Sequence, residues 1–170
     1  LGELVHGRGG IFVVDGTQGV GALELNVHDL PGDVLVAAAY KWLLGPYGTG
    51  FAYFSPGVRD RLDLQVVNWM SVEGSEDFES LPTDDFVLPH AARVFDVPET
   101  SNFINLYALE ASLEFVESMT VRVVTDHCRR LLDRLAEGLR RRSFRLSPAA
   151  DPGRWSTILG FQSDSLELTT

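Results

Sequence analysis

Lys41 is the only lysine of the chain and the residue whose position most suggests covalent chemistry. It follows the apolar run 34–39, with Tyr40 alone between them. A lysine that is desolvated at the end of a buried strand can act as an amine nucleophile and form a Schiff base with a carbonyl. The alternative is a lysine whose stem packs while its ammonium reaches solvent, and for a lone lysine this alternative is the better one.

Asp15 occupies a comparable position, because it follows the apolar run 10–14 and opens the motif Asp15-Gly16-Thr17-Gln18. The carboxyl ends of strands are where open α/β sheets bind ligands, so a carboxylate there is a candidate ligand group. Aspartate is also favoured in turns and helix caps, and from this feature alone a capping role is the stronger interpretation.

The segment 45–50, Gly-Pro-Tyr-Gly-Thr-Gly, is a third candidate. A glycine-rich loop can cradle phosphate through its backbone N–H groups. Phosphate loops lead into a helix, however, and this segment precedes an apolar run that reads as a strand, so a tight turn is the better interpretation.

The elements that must position these residues are short apolar runs at 10–16, 33–39 and 50–54. Their continuous apolarity predicts strands that are buried on both faces, and residues 17–21 predict a short helical turn after the first of them. Strands that alternate with short helical segments favour an α/β domain with a mostly parallel sheet.

The rest of the chain has a different character. Residues 63–100 mix aromatic and acidic residues with prolines and predict a long, docked excursion without regular periodicity. Apolar residues at spacings of three and four then predict helices over 102–117 and 121–142. The charged face of the second helix is expected to be solvated. Residues 144–146 and 157–161 read as strands of a second domain.

Composition narrows the function. With 45% hydrophobic and 22% charged residues the chain is an ordinary globular one, and its net charge of -10 argues against nucleic-acid and anionic-membrane partners. No apolar run is long enough for a membrane span. The single cysteine, Cys128, excludes an internal disulfide and fits a reducing cytoplasm, where we expect the protein to be. Cys128 lies on the apolar stripe of its helix and reads as a core residue.

Taken together and in order, the Asp15 motif, Tyr40-Lys41-Trp42 and the segment 45–50 resemble the core of class V aminotransferase-fold enzymes. This family includes cysteine desulfurases, kynureninases and isopenicillin-N epimerases. Residues 93–102 resemble its Arg-Phe-Glu-x-Gly-Thr-x-Asn segment. The resemblance implies an α/β fold of the PLP-transferase (aspartate-aminotransferase-like) type. Residues 1–101 would be the second half of the large domain, 102–120 a connecting helix, and 121–170 the incomplete start of an α+β small domain.

The same resemblance implies a site for pyridoxal 5'-phosphate (PLP) and no metal. Lys41 would form the Schiff base with PLP, Asp15 would pair with the pyridinium nitrogen, and Gln18 would hydrogen-bond the phenolic oxygen. Many members have Ser-x-His before the lysine, where this chain has Ala38 and Tyr40, and the Tyr40 hydroxyl is the candidate contact to the phosphate. Trp69 is a candidate for the partner subunit's phosphate, and a packing role for it is equally open.

The implied function is that of a PLP-dependent enzyme, an aminotransferase or lyase of class V, acting on a small amino-acid substrate. Transamination, elimination or desulfuration, and epimerisation are not distinguished. The resemblance also implies a homodimer, and the apolar residues of the excursion 63–100 predict that it packs largely against a second chain, with Trp69 and residues 100–102 nearest the partner's cofactor. The alternative is that the excursion folds back on its own domain. Family members are considerably longer, so a piece of this length is expected to be inactive alone. The alternative is a catalytically incomplete PLP-fold fragment with a structural or assembly role.

Overall fold

A computed structural model describes residues 1–63, 67–81, 84–96, 102–147 and 156–163. Its centre is a mixed sheet of three strands in the order β1-β2-β3, namely Val13–Asp15, Val34–Ala38 and Gly50–Phe54. β1 runs parallel to β2, with Asp15 opposite Val36, and β2 runs antiparallel to β3, with Ala38 opposite Gly50. The carboxyl ends of β1 and β2 therefore lie at the same edge of the sheet.

The α/β class is confirmed, but the prediction of a mostly parallel sheet is wrong for the strands that the structure describes. β3 is antiparallel because residues 39–49 make a direct return from β2, and a parallel connection needs a crossover of a dozen or more residues, usually a helix. The prediction of burial on both faces holds for β2, in which Val34, Leu35 and Ala37 are buried. It is wrong for β1, whose Val13 is 54% exposed, because little of the described chain covers the face of the strand on which Val13 lies.

Helices and short turns surround the sheet. The α-helices are α1 Gly2–His6, α2 Pro56–Arg59, α3 Phe103–Met119 and α4 Val121–Arg141. The excursion contains 3-10 turns at Trp69–Ser71, Phe78–Ser80 and Ala92–Phe95, and the last described strands, β4 Arg145–Leu146 and β5 Phe161–Gln162, pair antiparallel. The two long helices predicted from apolar spacing are confirmed. Thr120 separates them with a φ of 61°, in the left-handed region that ends a helix.

The two long helices close over the loops at the carboxyl edge of the sheet. A Cβ on Gly45 would lie 2.8 Å from Leu109 Cδ1 of α3, so glycine permits that close approach. The Thr125 hydroxyl of α4 donates to the Ala22 carbonyl over 2.7 Å. Cys128 is half-buried on the same helix. The helices thus hold the edge of the sheet at which Asp15 and Lys41 lie. The predicted boundary between the domains, at residues 102–120, stays a prediction.

Asp33 lies directly before β2, at the end of the sheet opposite to Asp15 and Lys41. Its Oδ2 accepts a hydrogen bond from Phe12 N–H over 2.7 Å and lies 2.9 Å from His6 Nε2 of α1. These two bonds, in that order, and the charge of Arg61 lower the pKa of the Asp33 carboxyl. The carboxylate therefore ties α1 and β1 to the start of β2.

Among the described residues, no helix is long and apolar enough to cross a membrane.

Candidate active site

The turn that carries Asp15 lies directly on β2. Gly16 N–H donates to the Val36 carbonyl over 2.7 Å, and the Gly16 carbonyl accepts the N–H groups of Gly19 and Val20 over 2.8 Å each. A Cβ on Gly16 would lie only 2.6 Å from Leu35 Cδ1, so a larger residue would push the turn away from the strand. The predicted helical turn after β1 is present as this hydrogen-bonded turn.

Thr17 joins this turn to the end of β2. Its Oγ1 accepts the Ala38 N–H over 3.1 Å, and its own N–H donates to Asp15 Oδ1 over 2.9 Å. Hydrogen bonds from the Thr17 hydroxyl and then from its backbone N–H lower the pKa of the Asp15 carboxyl. Asp15 is therefore a carboxylate at neutral pH, at the exposed carboxyl end of β1.

Sequence reasoning did not single out Thr17. The available signal was a hydroxyl two residues after an aspartate in a predicted turn, where short polar side chains commonly hydrogen-bond neighbouring backbone groups. Its bond to Ala38 depends on the register of β1 and β2, which the sequence does not specify.

β2 ends in a turn that presents Lys41. Ala39 N–H donates to the Thr49 carbonyl and Gly45 N–H donates to the Ala39 carbonyl, both over 2.9 Å, so the chain is held on both sides of Lys41. Lys41 itself is exposed. This exposure matches the alternative in which the ammonium reaches solvent, and the desolvated lysine expected for a nucleophile is not what this chain presents.

Tyr40 and the glycine-rich loop flank the amine. The rings of Tyr40 and Tyr47 stack with centroids 4.6 Å apart and planes at 22°, and Lys41 Nζ lies 5.3 Å from the Tyr40 ring centroid. The loop is a tight turn, as its lack of a following helix predicted. Gly48 has a φ of 80° and the Thr49 hydroxyl donates to the Pro46 carbonyl over 2.6 Å.

The structure brings Asp15, Gln18 and Lys41 to one edge of the sheet, each of them exposed. Trp69 lies on the excursion, where its ring packs edge-on against Phe78 at 5.4 Å. A packing contact is thus present for Trp69, and its role at a partner's cofactor stays a prediction.

The turn that carries Trp69 is held from the far end of the excursion, where Arg93 Nη2 donates to the Met70 carbonyl over 2.7 Å and to the Ser75 hydroxyl. Arg93 opens the segment 93–102 that resembles the family motif. Residues 97–101 of that segment, including Thr100, lie outside the described residues.

A lysine and an ionised carboxylate thus lie where two parallel strands of an α/β protein end, the place at which open α/β sheets commonly bind ligands. The family model of aminotransferase class-V matches residues 1–167, so the chain belongs to the aminotransferase class-V family. This match confirms the resemblance. Enzymes of this family depend on PLP.

The similar proteins include isopenicillin N epimerases and cysteine desulfurases. The chain is 30% identical to isopenicillin N epimerase of Streptomyces clavuligerus over 139 residues, which are 78% of this chain and 35% of that protein. It is 26% identical to a probable cysteine desulfurase of Methanothermobacter thermautotrophicus over 79% of this chain and 32% of that protein. The chain thus spans about a third of the length of these curated relatives.

The fold agrees with a solved structure. An apo cysteine desulfurase from Thermococcus onnurineus NA1 superimposes with a TM-score of 0.74 at 23% identity, covering 97% of this chain and 40% of that one. At this identity the likeness shows the PLP-transferase fold, to which the described α/β sheet and helices conform.

Proposed function

We propose that this chain is the PLP-binding part of an enzyme that acts on an amino acid, with Lys41 as the residue that binds the cofactor covalently. One observation carries the proposal. The Thr17 hydroxyl joins the Asp15 turn to Ala38, three residues before Lys41, so the carboxylate and the amine are held on one hydrogen-bonded edge. A carboxylate for a ring nitrogen and an amine for an aldehyde are the groups that PLP requires.

The described residues fit that cofactor by their chemistry. When bound, PLP supplies an electron sink for negative charge on the substrate. The Asp15 carboxylate, whose pKa is lowered by Thr17, would pair with the protonated ring nitrogen. The Gln18 amide, exposed in the same turn, would hydrogen-bond the phenolic oxygen, and the Tyr40 hydroxyl would contact the phosphate. Lys41 Nζ would hold the cofactor covalently and, when free, could accept or give a proton at the substrate.

The reaction after binding is one of transamination, elimination or desulfuration, and epimerisation. In each of them a substrate amine would take the place of Lys41 on the cofactor, so the residues described above would serve all of them. The similar proteins include both an epimerase and a probable cysteine desulfurase, which supports an amino acid or a related small molecule as the substrate class. Cys128 is half-buried in α4, which supports a packing role for its thiol.

The active assembly in this proposal is a homodimer in the cytoplasm. Part of the excursion docks on its own sheet, because Phe95 stacks on Phe54 of β3 with centroids 4.6 Å apart. Phe78 and Phe86, however, are 69% and 50% exposed. Large apolar rings left in water commonly mark an interface. These rings support packing of the excursion against a second chain, with Trp69 nearest the partner's cofactor.

Titration with PLP, followed by absorbance, tests the proposal. In the presence of the wild-type chain the absorbance band of PLP is expected to shift to longer wavelength as PLP condenses with Lys41. Lys41→Arg is the matched control, since arginine keeps the charge and lacks the primary amine. Asp15→Asn keeps an acceptor for the Thr17 N–H, so its unfolding curve should match wild type while its affinity for PLP falls several-fold. The same spectral change in Lys41→Arg as in wild type would contradict the proposal.

The alternative function is a PLP-fold piece with a structural or assembly role. The exposure of Lys41 favours this alternative, because a nucleophilic lysine is expected to be desolvated. In the same titration this alternative predicts that a folded wild-type chain leaves the PLP spectrum unchanged, a result that would also sink the cofactor proposal.

A further inference from the structure

We propose that Tyr47 is a positioning residue for Lys41, an inference that rests on the proposed function of the Lys41 amine. The Tyr47 ring stacks on the Tyr40 ring, and Lys41 Nζ lies over the Tyr40 ring, with centroid distances of 4.6 and 5.3 Å. Tyr40 thus contacts both a second ring and a cation, and its stack with Tyr47 restrains the plane of its ring.

The chemistry of aromatic faces accounts for both contacts of the Tyr40 ring. An ammonium within about 6 Å of a ring centroid is attracted to the negative face of the ring. Two rings at this separation and tilt gain further from stacking. Tyr40 is itself exposed, so without a ring beside it solvent would replace the stack and the side chain would regain rotamer freedom. The face that attracts the Lys41 ammonium would then no longer be held in place.

Tyr47 is suited to this role because its backbone is anchored while its ring is not packed elsewhere. Its carbonyl accepts a hydrogen bond from Asn105 Nδ2 of α3 over 3.1 Å, and the adjacent Gly48 takes a φ of 80° that shapes the turn. The side chain is nevertheless 78% exposed. A ring that is so exposed contributes little to the core, so its stack on Tyr40 is the contact through which it acts.

The consequence is a positioned side chain. Lysine carries its ammonium on a flexible four-carbon stem, and the contact with the Tyr40 ring limits where that group lies. The contacts run from Asn105 through Tyr47 and Tyr40 to Lys41, so α3 indirectly sets where Nζ lies relative to the Asp15 edge. This places Tyr47, a residue of the glycine-rich loop, in the support of the cofactor-binding amine.

The test uses the single lysine of the full chain. Reductive methylation with carbon-13-labelled formaldehyde places methyl groups on Lys41 Nζ and on the N-terminal amine, and Lys41→Arg identifies which resonance belongs to Lys41. Methylated ammonium keeps its charge and still binds aromatic faces. Methyl groups above a ring resonate upfield, so the displacement reports the layering without any cofactor. Tyr40→Ala gives the resonance without the ring.

Tyr47→Ala is expected to remove at least half of this upfield displacement, and Tyr47→Phe to retain it, because the ring and not the hydroxyl forms the stack. Tyr107→Ala on α3 is the matched control, since Tyr107 is 77% exposed and should leave the resonance unchanged.

An unchanged resonance in Tyr47→Ala, or an equal loss of the displacement in Tyr47→Phe, would overturn the proposal. Its failure is distinguishable from failure of the proposed function. If wild-type Lys41 shows the displacement and Tyr47→Ala loses it, but PLP never attaches to Lys41, the layering stands and the cofactor role is wrong.

Discussion

Replacing Thr17 by valine removes one hydroxyl and keeps the shape of the side chain. Two hydrogen bonds go with it, the one accepted from Ala38 N–H at 3.1 Å and the one given to the Asp15 carboxylate. Leaving a buried donor unpaired costs about 1–3 kcal/mol, and because Ala38 is only half-buried we expect about 1–2 kcal/mol. For a chain of this size that loss lowers the melting temperature by roughly 2–8 °C.

The assay is thermal and urea unfolding of Thr17→Val beside Thr17→Ser, which retains the hydroxyl and serves as the matched control. Serine is expected to keep most of the stability. The pKa of Asp15 should also rise toward its ordinary value in the valine variant, since the largest cause of its lowering is gone. A valine variant as stable as wild type, or a serine variant as unstable as valine, would refute the role assigned to the Thr17 hydroxyl.

Three further predictions concern the sheet edges and the assembly. The Phe12 N–H and then His6 lower the pKa of Asp33 in the folded state, so its stabilisation is complete above the ordinary carboxyl pKa of about 4 and is lost as pH falls through the folded pKa. Urea unfolding of Asp33→Asn should therefore show a smaller loss of stability in acid than wild type, and an equal loss in the two proteins would argue against this role of Asp33. Gly16→Ala should cost about 1–3 kcal/mol by overpacking against the buried leucine of β2, whereas Gly57→Ala, with no atom within 4 Å of the added Cβ, should not destabilise; equal melting temperatures would contradict this. Sedimentation at micromolar concentration should show a dimer, and a monomer across that range would exclude the proposed assembly.

Much of the fold was predictable from local pattern. The apolar run of β2 and the three-and-four spacing of α3 and α4 specify their elements, because burial of one strand or one helix stripe requires that arrangement. The direction of β3 was not predictable from its own residues, since it depends on how the connection 39–49 returns. The exposure of Val13 was not predictable either. A continuous apolar run gives no information on what covers its second face.

The candidate site was also only partly predictable from the sequence. Asp15 and Lys41 were identifiable because each follows an apolar run, and their common edge follows once the two strands are parallel. The Thr17 bridge depends on strand register. The stack of Tyr47 on Tyr40 depends on a loop that turns through Gly48 at positive φ. No periodicity in the sequence predicts either contact.

Covalent binding of PLP by Lys41 is tested most directly by locating the residue to which the cofactor is attached. Borohydride reduces a carbon–nitrogen double bond between cofactor and amine to a stable single bond, and peptide mass mapping then identifies the modified residue. The chain offers only two primary amines, that of Lys41 and the N-terminal one of Leu1. We expect one PLP group on Lys41 in the wild-type chain and none at that position in Lys41→Ala. An adduct confined to Leu1, with Lys41 unmodified at saturating PLP, would contradict it.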